Sequence, residues 1–315
     1  MRNLFLVSLL MLMACLPTFA QPGNLLDEVD KDNKKESKTP AKVFYSQKLI
    51  NANTVEVLPK GRLEFKVQHN FGDIGGSNGG VTRFYGLDNA ADIKIGFQMG
   101  LAKKFNLLLS RTRGGGQVQQ MWELGVKYQI LQQMQNDPSH PLSLTLFANG
   151  VVSSQTANVN PDNENSFGSF SDRGSSLLQL LLARKFGGVS LQLHPTFVRR
   201  NFVQNGDENN TFAMGGAVRI PLSKRIILIA DYFHPFRSSS SKTALAARGV
   251  KLYDVWGLGF EIKTPGHLFN LNFTNATNLL ENRFIPRTFS DIKQGQFRWG
   301  FTISRDFMLF RDKKG

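Results

Sequence analysis

Residues 121–130 read MWELGVKYQI. In an extended chain, Trp122, Leu124, Val126, Tyr128 and Ile130 fall on one side, and Glu123, Gly125, Lys127 and Gln129 on the other. One such segment suits any half-buried sheet. What decides the fold is how often the pattern returns and what separates the copies.

Upstream, RLEFKVQHNF (62–71) sets Leu63, Phe65, Val67 and Phe71 against Glu64, Lys66, Gln68 and Asn70. ADIKIGFQMGL (91–101) and FNLLLSR (105–111) follow. Downstream come PLSLTLFANGV, SSLLQLLLARKF, VSLQLHPTFVRR, TFAMGGAVRIPL, RIILIADYFHPF, DVWGLGFEIK, LFNLNFTNA and QFRWGFTISRDF. Together these make twelve strands, most of them near the 9 to 11 residues that cross a bilayer at a tilt. An even number suits a barrel whose termini lie on one side.

The connections alternate in length. DIGGSNGGVTRFYGLDN (73–89) is long and Lys103-Lys104 is tight. TRGGGQVQQ is followed by QQMQNDPSHP, the one intermediate turn. SSQTANVNPDNENSFGSFSDRG leads to Gly187-Gly188, QNGDENN to Leu222-Ser223-Lys224, and RSSSSKTALAARG to Thr264-Pro265-Gly266. TNLLENRFIPRTFSDIKQG closes the series. External loops of outer-membrane barrels grow freely while periplasmic turns stay tight. In hydrocarbon every backbone polar group must be bonded within the protein, so only a closed sheet survives there. The expected fold is therefore all-β: a 12-stranded antiparallel transmembrane β-barrel of the outer-membrane type. Its apolar face points to lipid. A periplasmic sandwich, which also alternates, lacks a reason for the loop asymmetry and for aromatics near strand ends (Trp122, Tyr128, Trp256, Trp299, Phe310).

Composition agrees. Hydrophobic residues are 41% of 315 and mean hydropathy is −0.23. No internal run reaches the roughly 18 apolar residues of a spanning helix. Residues 1–20 read as a secretory signal peptide: Arg2, the apolar LFLVSLLMLMACL, then Thr18-Phe19-Ala20 before Gln21. Leu12-Met13-Ala14-Cys15 resembles a lipobox, but Leu16-Pro17 is a poor start for a lipoprotein. Cys15 is the single cysteine, so cleavage would leave a chain with no disulfide and no thiolate metal site. Residues 21–60 are expected to be a flexible periplasmic segment. Its second part, residues 43–60, fits either a short helix at the barrel mouth or an extra strand. The barrel is expected over 61–310 and a C-terminal tail over 311–315. The formal net charge of +14 points to an anionic partner. Export turns that expectation from nucleic acid toward the phosphate-rich outer-membrane lipid, lipopolysaccharide.

Four motifs carry a family resemblance: His69-Asn70-Phe71-Gly72, YGLDNAADIKIGFQMGL, SRTRG and WELGVKYQILQQ. They resemble a family of bacterial outer-membrane β-barrels known only as a domain of unknown function, from about residue 42 to the end. The family's first motif usually reads His-Arg-Phe-Gly. Asn70 stands where the arginine would be, so no role of that arginine transfers. The resemblance implies the barrel and implies no activity, substrate or catalytic residue.

The candidate chemistry lies on the polar face. Inward positions hold Glu64, Lys66, Asp92, Lys94, Glu123, Lys127 and Arg298, with Gln68, Gln98, Gln129, Asn270, Asn272 and Thr302. Such a set can line a narrow polar channel or pair across the lumen and close it. His194 and His234 each precede a proline and are followed by arginines (Arg199 and Arg200; Arg237), which suggests bulges or fraying at the external rim and a His/Arg cluster there. Lys66, Lys94, Lys127, His194, Arg199, His234, Arg237 and Arg298 are the candidate ligand-binding residues. Arg83, Arg111, Arg113, Arg173, Arg248, Arg283 and Arg287 fall in or beside external loops and suit phosphate. A hydrolase would need a serine in reach of a histidine, and Ser110 and His69 are the pair to examine. GxSxG is absent and the glycine-rich stretches sit in loops, so no enzyme, metal or cofactor is expected. The leading expectation is an outer-membrane channel or transport component for small polar or anionic solutes. The alternative is a non-transporting barrel that scaffolds an envelope protein partner, and the third is a lipid-modifying enzyme.

Overall fold

A computed structural model describes residues 38–310. The expected signal peptide, the first part of the N-terminal segment and the tail 311–315 lie outside the described residues. Twelve strands close in sequence order, and β1 pairs with β12 to seal the sheet. They are β1 (Arg62–Asp73), β2 (Ala90–Ala102), β3 (Phe105–Gly114), β4 (Met121–Leu131), β5 (Ser143–Ser153), β6 (Gly174–Phe186), β7 (Val189–Arg200), β8 (Asn210–Pro221), β9 (Ile226–Phe236), β10 (Val255–Lys263), β11 (Leu268–Thr274) and β12 (Arg298–Met308). Every pairing is antiparallel, and the turns alternate long and short as expected.

The alternation sorts as the sequence predicts. On β4, Trp122, Leu124 and Tyr128 are exposed on the outside while Glu123, Lys127 and Gln129 are buried inside. At the seam, Val67 lies between Ile95 and Ile303, all three outward. Phe65 and Phe97 add a ring contact at 5.2 Å. A one-residue slip would put lysines into lipid, so hydrophobicity fixes the register. Register shifts occur near strand ends: at Asn70 to Asp73, Gly100/Ala102 and Gln129/Leu131.

No register shift accompanies Pro195 or Pro235, contrary to the bulges expected there. Pairing between β6 and β7 lapses from Gln179↔Thr196 to Leu182↔Leu193 and resumes in the same register. Pro235 sits opposite Ala213 in an unbroken β8–β9 ladder.

The lumen departs from the expected water-filled or side-chain-filled interior. Its wall is polar on β1–β4 and β11–β12, yet β6 and β9 turn mainly apolar side chains inward, joined by single residues of β7 and β10. Leu177, Leu181, Ala183, Val198, Ile227, Ile229, Phe233 and Val255 point inward and are buried. Residues 43–58 cover this oily half with Val43, Phe44, Leu49, Ile50, Ala52 and Val55. They form neither the short helix nor the extra strand, and over 43–58 they are not a flexible periplasmic segment. The reason is hydrophobic: these side chains find an apolar wall that water would otherwise wet.

Candidate functional site in the lumen

Irregular backbone inside a barrel survives only if the wall satisfies its polar groups. Here it does so residue by residue. Residues 49–52 form a tight turn, with Leu49 N–H donating to Ala52 O at 2.8 Å. The turn presents three amides to Asp231 on β9. Ile50, Asn51 and Ala52 N–H all donate to Asp231 Oδ2, at 3.2, 2.7 and 2.9 Å. Asn51 Nδ2 donates to Oδ1 at 2.8 Å. Gly257 on β10 makes room: a Cβ there would fall 2.4 Å from Asp231 Oδ1 and 2.9 Å from Ile50 Cγ2. Lys127 Nζ donates to the carbonyls of Gln47, Thr54 and Glu56. Gln192 accepts from Val55 N–H and donates to Asn53 O, while Asn106 accepts from and donates to Leu58. The segment is a plug docked onto a receptor of wall side chains.

A second plug enters from the external side. The loop between β11 and β12 turns inward, with a one-turn helix α2 (Glu281–Phe284) whose residues are all buried. Phe284 packs on Phe233 at 5.5 Å between ring centres, and Leu279 N–H donates to Asp92 Oδ2 at 2.9 Å. The two plugs meet. Lys48 Nζ lies 2.5 Å from Glu281 Oε1, and Asn53 Nδ2 donates to the same oxygen at 3.0 Å.

Above them the external loops are tied by buried ion pairs. Asp207 holds Arg200 at 2.9 Å, Arg237 at 2.6 Å and Arg287 at 2.9 Å. Glu164 holds Arg287 at 2.8 Å and also pairs with Arg283. Burial alone would push the Asp207 carboxyl up, but Arg200 and Arg237 outweigh it and hold it below the ordinary carboxylate range.

The lumen keeps a small cavity of about 20 Å³ on the polar side, lined by Lys48, Asn53, Glu64, Lys66, Lys94 and Gln98 among others. It has room for a water.

Three of the predicted residues gather there or beside it. Lys66 Nζ pairs with Glu64 at 2.7 Å and Lys94 with Glu123 at 2.6 Å, while Lys127 clamps the plug. Arg298 is inward at the external end, donating to Asn275 O at 2.7 Å and pairing with Asp73. The His/Arg cluster at the mouth does not form. His194 is buried in the lumen wall, 4.6 Å from the Phe233 ring, and Arg199 is exposed on the outer face. His234 is outward at the rim, 3.0 Å from Asp254, and Arg237 is drawn into the Asp207 network. Ser110 faces the lumen and donates to Glu123 at 2.5 Å, whereas His69 is outward between Phe71 and Phe301. The barrel wall separates them, so they make no nucleophile–base pair. Of the loop arginines, Arg283 and Arg287 are committed to the ion-pair network.

Asp231, Gln192, Asn106 and Glu281 were not anticipated. A signal existed for Asp231, a lone carboxylate in the apolar run IILIADYF.

The model of the membrane-bound beta barrel domain DUF5777 matches residues 44–307. The chain belongs to this family. The match starts within the plug, so the DUF5777 domain comprises plug and barrel together. No curated protein matches the sequence. Among solved structures, this DUF5777 barrel is similar to the KdgM porin, with TM-score 0.46 and 9% identity over 78% of this chain and 99% of that one. An outer membrane channel from Pseudomonas putida F1 gives TM-score 0.47 and 12% identity over 80% and 98%. Omp33 of Acinetobacter baumannii gives 0.38 and 10% over 79% and 98%.

Proposed function

We propose that this protein is an outer-membrane channel held closed in the present state, and that small polar or anionic solutes pass along its polar wall when it opens. The observation that carries this reading is the division of the lumen. The plug is sealed against the apolar half by hydrophobic contact. Against the polar half it leaves a crevice lined by Lys48, Lys66 and Lys94 with Glu64. Opening need not expel the plug from the oily wall; it requires parting the Lys48–Glu281 contact and withdrawing the external loop. The lysines favour anions and the carboxylates set spacing. Export by a cleaved signal over residues 1–20 is part of the same reading.

Single-channel recording in planar bilayers tests it. The wild-type barrel should show rare, small openings. Glu281→Gln, which keeps the volume and removes the ion pair, should raise the open time several-fold. If both stay silent while the protein migrates as a folded, heat-modifiable barrel, the channel reading fails. The second reading, a non-transporting barrel that scaffolds an envelope complex, then stands. It is favoured by the apolar inner wall, which makes the lumen resemble a packed core.

A further inference from the structure

A cavity outside the lumen lies at the rim of the wall, beside the outward His234. β9 ends with Tyr232 and His234 on its outer face. Tyr232 packs on Trp256 of β10 at 4.8 Å between ring centres, part of the outward aromatic girdle. Beyond this pair the β9–β10 loop folds over with helix α1 (Ser239–Ala247) and residues 250–254. The overhang encloses about 330 Å³, lined by His234, Lys242, Leu245, Val250, Lys251 and Leu252 among others.

Three features narrow what it holds. The first is depth. Aromatic girdles mark the level of lipid headgroups, and this cavity begins where the Tyr232–Trp256 pair ends. The second is charge. Lys242 and Lys251 are exposed, and among the described residues neither has a carboxylate in ion-pair reach. Asp254, the carboxylate of the lining, is occupied by Tyr232 and by His234 at 3.0 Å. Arg237 is turned away to Asp207. The third is mixed polarity. Leu245, Val250 and Leu252 give the floor an apolar character that a free anion would not use, whereas a sugar–acyl junction would.

We propose that this pocket binds the phosphorylated headgroup of an outer-leaflet glycolipid of the lipopolysaccharide type, with Lys242 and Lys251 as the phosphate clamp. The proposal rests on the outer-membrane reading, which sets this loop outside.

The test uses the full chain purified in detergent and measures binding of phosphorylated lipid A by native mass spectrometry. Three arms accompany it: dephosphorylated lipid A, inorganic phosphate as competitor, and the variants Lys242→Ala/Lys251→Ala and Lys103→Ala/Lys104→Ala. The second variant removes two lysines from a turn at the opposite end. The wild type should hold lipid A at least tenfold more tightly than the Lys242/Lys251 variant. Dephosphorylation should cost wild type a similar factor, and inorganic phosphate should not displace the lipid. Equal binding by that variant, equal binding of the dephosphorylated lipid, displacement by inorganic phosphate, or an equal loss in the Lys103/Lys104 variant would each overturn the site. Heat-modifiable migration, recorded for every variant, keeps the tests separate: its loss in wild type sinks the membrane-barrel reading rather than this pocket.

Discussion

Lys48 and Glu281, 233 residues apart in the chain, meet at 2.5 Å in the middle of the barrel. One arrives on the N-terminal plug and the other on an external loop. Both side chains are buried, so neither is stabilised by bulk water, and removing one leaves the other an unpaired buried charge. Lys48→Met should therefore loosen the external loop as well as the plug. Protease nicking in residues 277–295 is the measurement, and unchanged protection would show that the two plugs are energetically separate.

Asp231 accepts four hydrogen bonds from the plug turn. Asp231→Ala leaves three amides without an acceptor, a cost on the order of 3 kcal/mol or more. Trypsin should then cut at Lys42 and Lys48 at least tenfold faster than in wild type. Gly257→Val, which fills the space the turn occupies, should do the same without touching a charge. A variant whose plug stays protected would remove Asp231 from the receptor.

The Asp207 network carries a pH dependence of fixed sign. Its carboxyl is depressed in the folded state, so its contribution is fully present above the unfolded value near 4 and fades as pH falls through the lower folded value. External loops should become protease-sensitive below about pH 4. Asp207→Asn should be weakened already at pH 7 and should lose that acid step. An acid step that persists in Asp207→Asn would place the titrating group elsewhere.

The inner wall is testable by contrast. Phe233 is buried against His194 and Phe284, while Leu258 faces lipid. Phe233→Ala should cost about 3–5 kcal/mol through the cavity it leaves. Leu258→Ala, at a half-exposed side chain on the lipid-facing side, should cost distinctly less. Urea unfolding from detergent or bilayers reads both, and equal losses would argue that the apolar half of the lumen is wet.

The sequence was most informative where chemistry is local. Trp122 against Glu123, or Phe301 against Thr302, announces which face meets lipid, because period two is a property of neighbouring residues. Turn lengths are local too. The plug is not, since its bonds join residues far apart: Asn51 to Asp231, Asn53 to Gln192, Lys48 to Glu281. Lys127 reads from the sequence as inward and cationic, but its partners are backbone carbonyls of a segment with no periodicity. One clue was readable. On β6 only Gln179 interrupts the run from Leu177 to Leu182, and on β9 Ile226 to Ala230 hold no polar residue before Asp231. Strands oily on both sides are covered on both sides. His194 misled because its resemblance to His234 lay in the following proline, whereas its face was set by the strand's parity.

A cylinder whose inner wall is greasy along β6 and β9 has no comfortable empty state. Before residues 43–58 arrive, Leu177, Leu181, Ile227, Ile229 and Phe233 would offer water an unwelcoming apolar surface. The segment leads directly into β1, the strand that seals against β12. Assembly should therefore wind the hairpins around this N-terminal piece as around a mandrel, and chains lacking it should stall as unsealed sheets before the last seam zips shut.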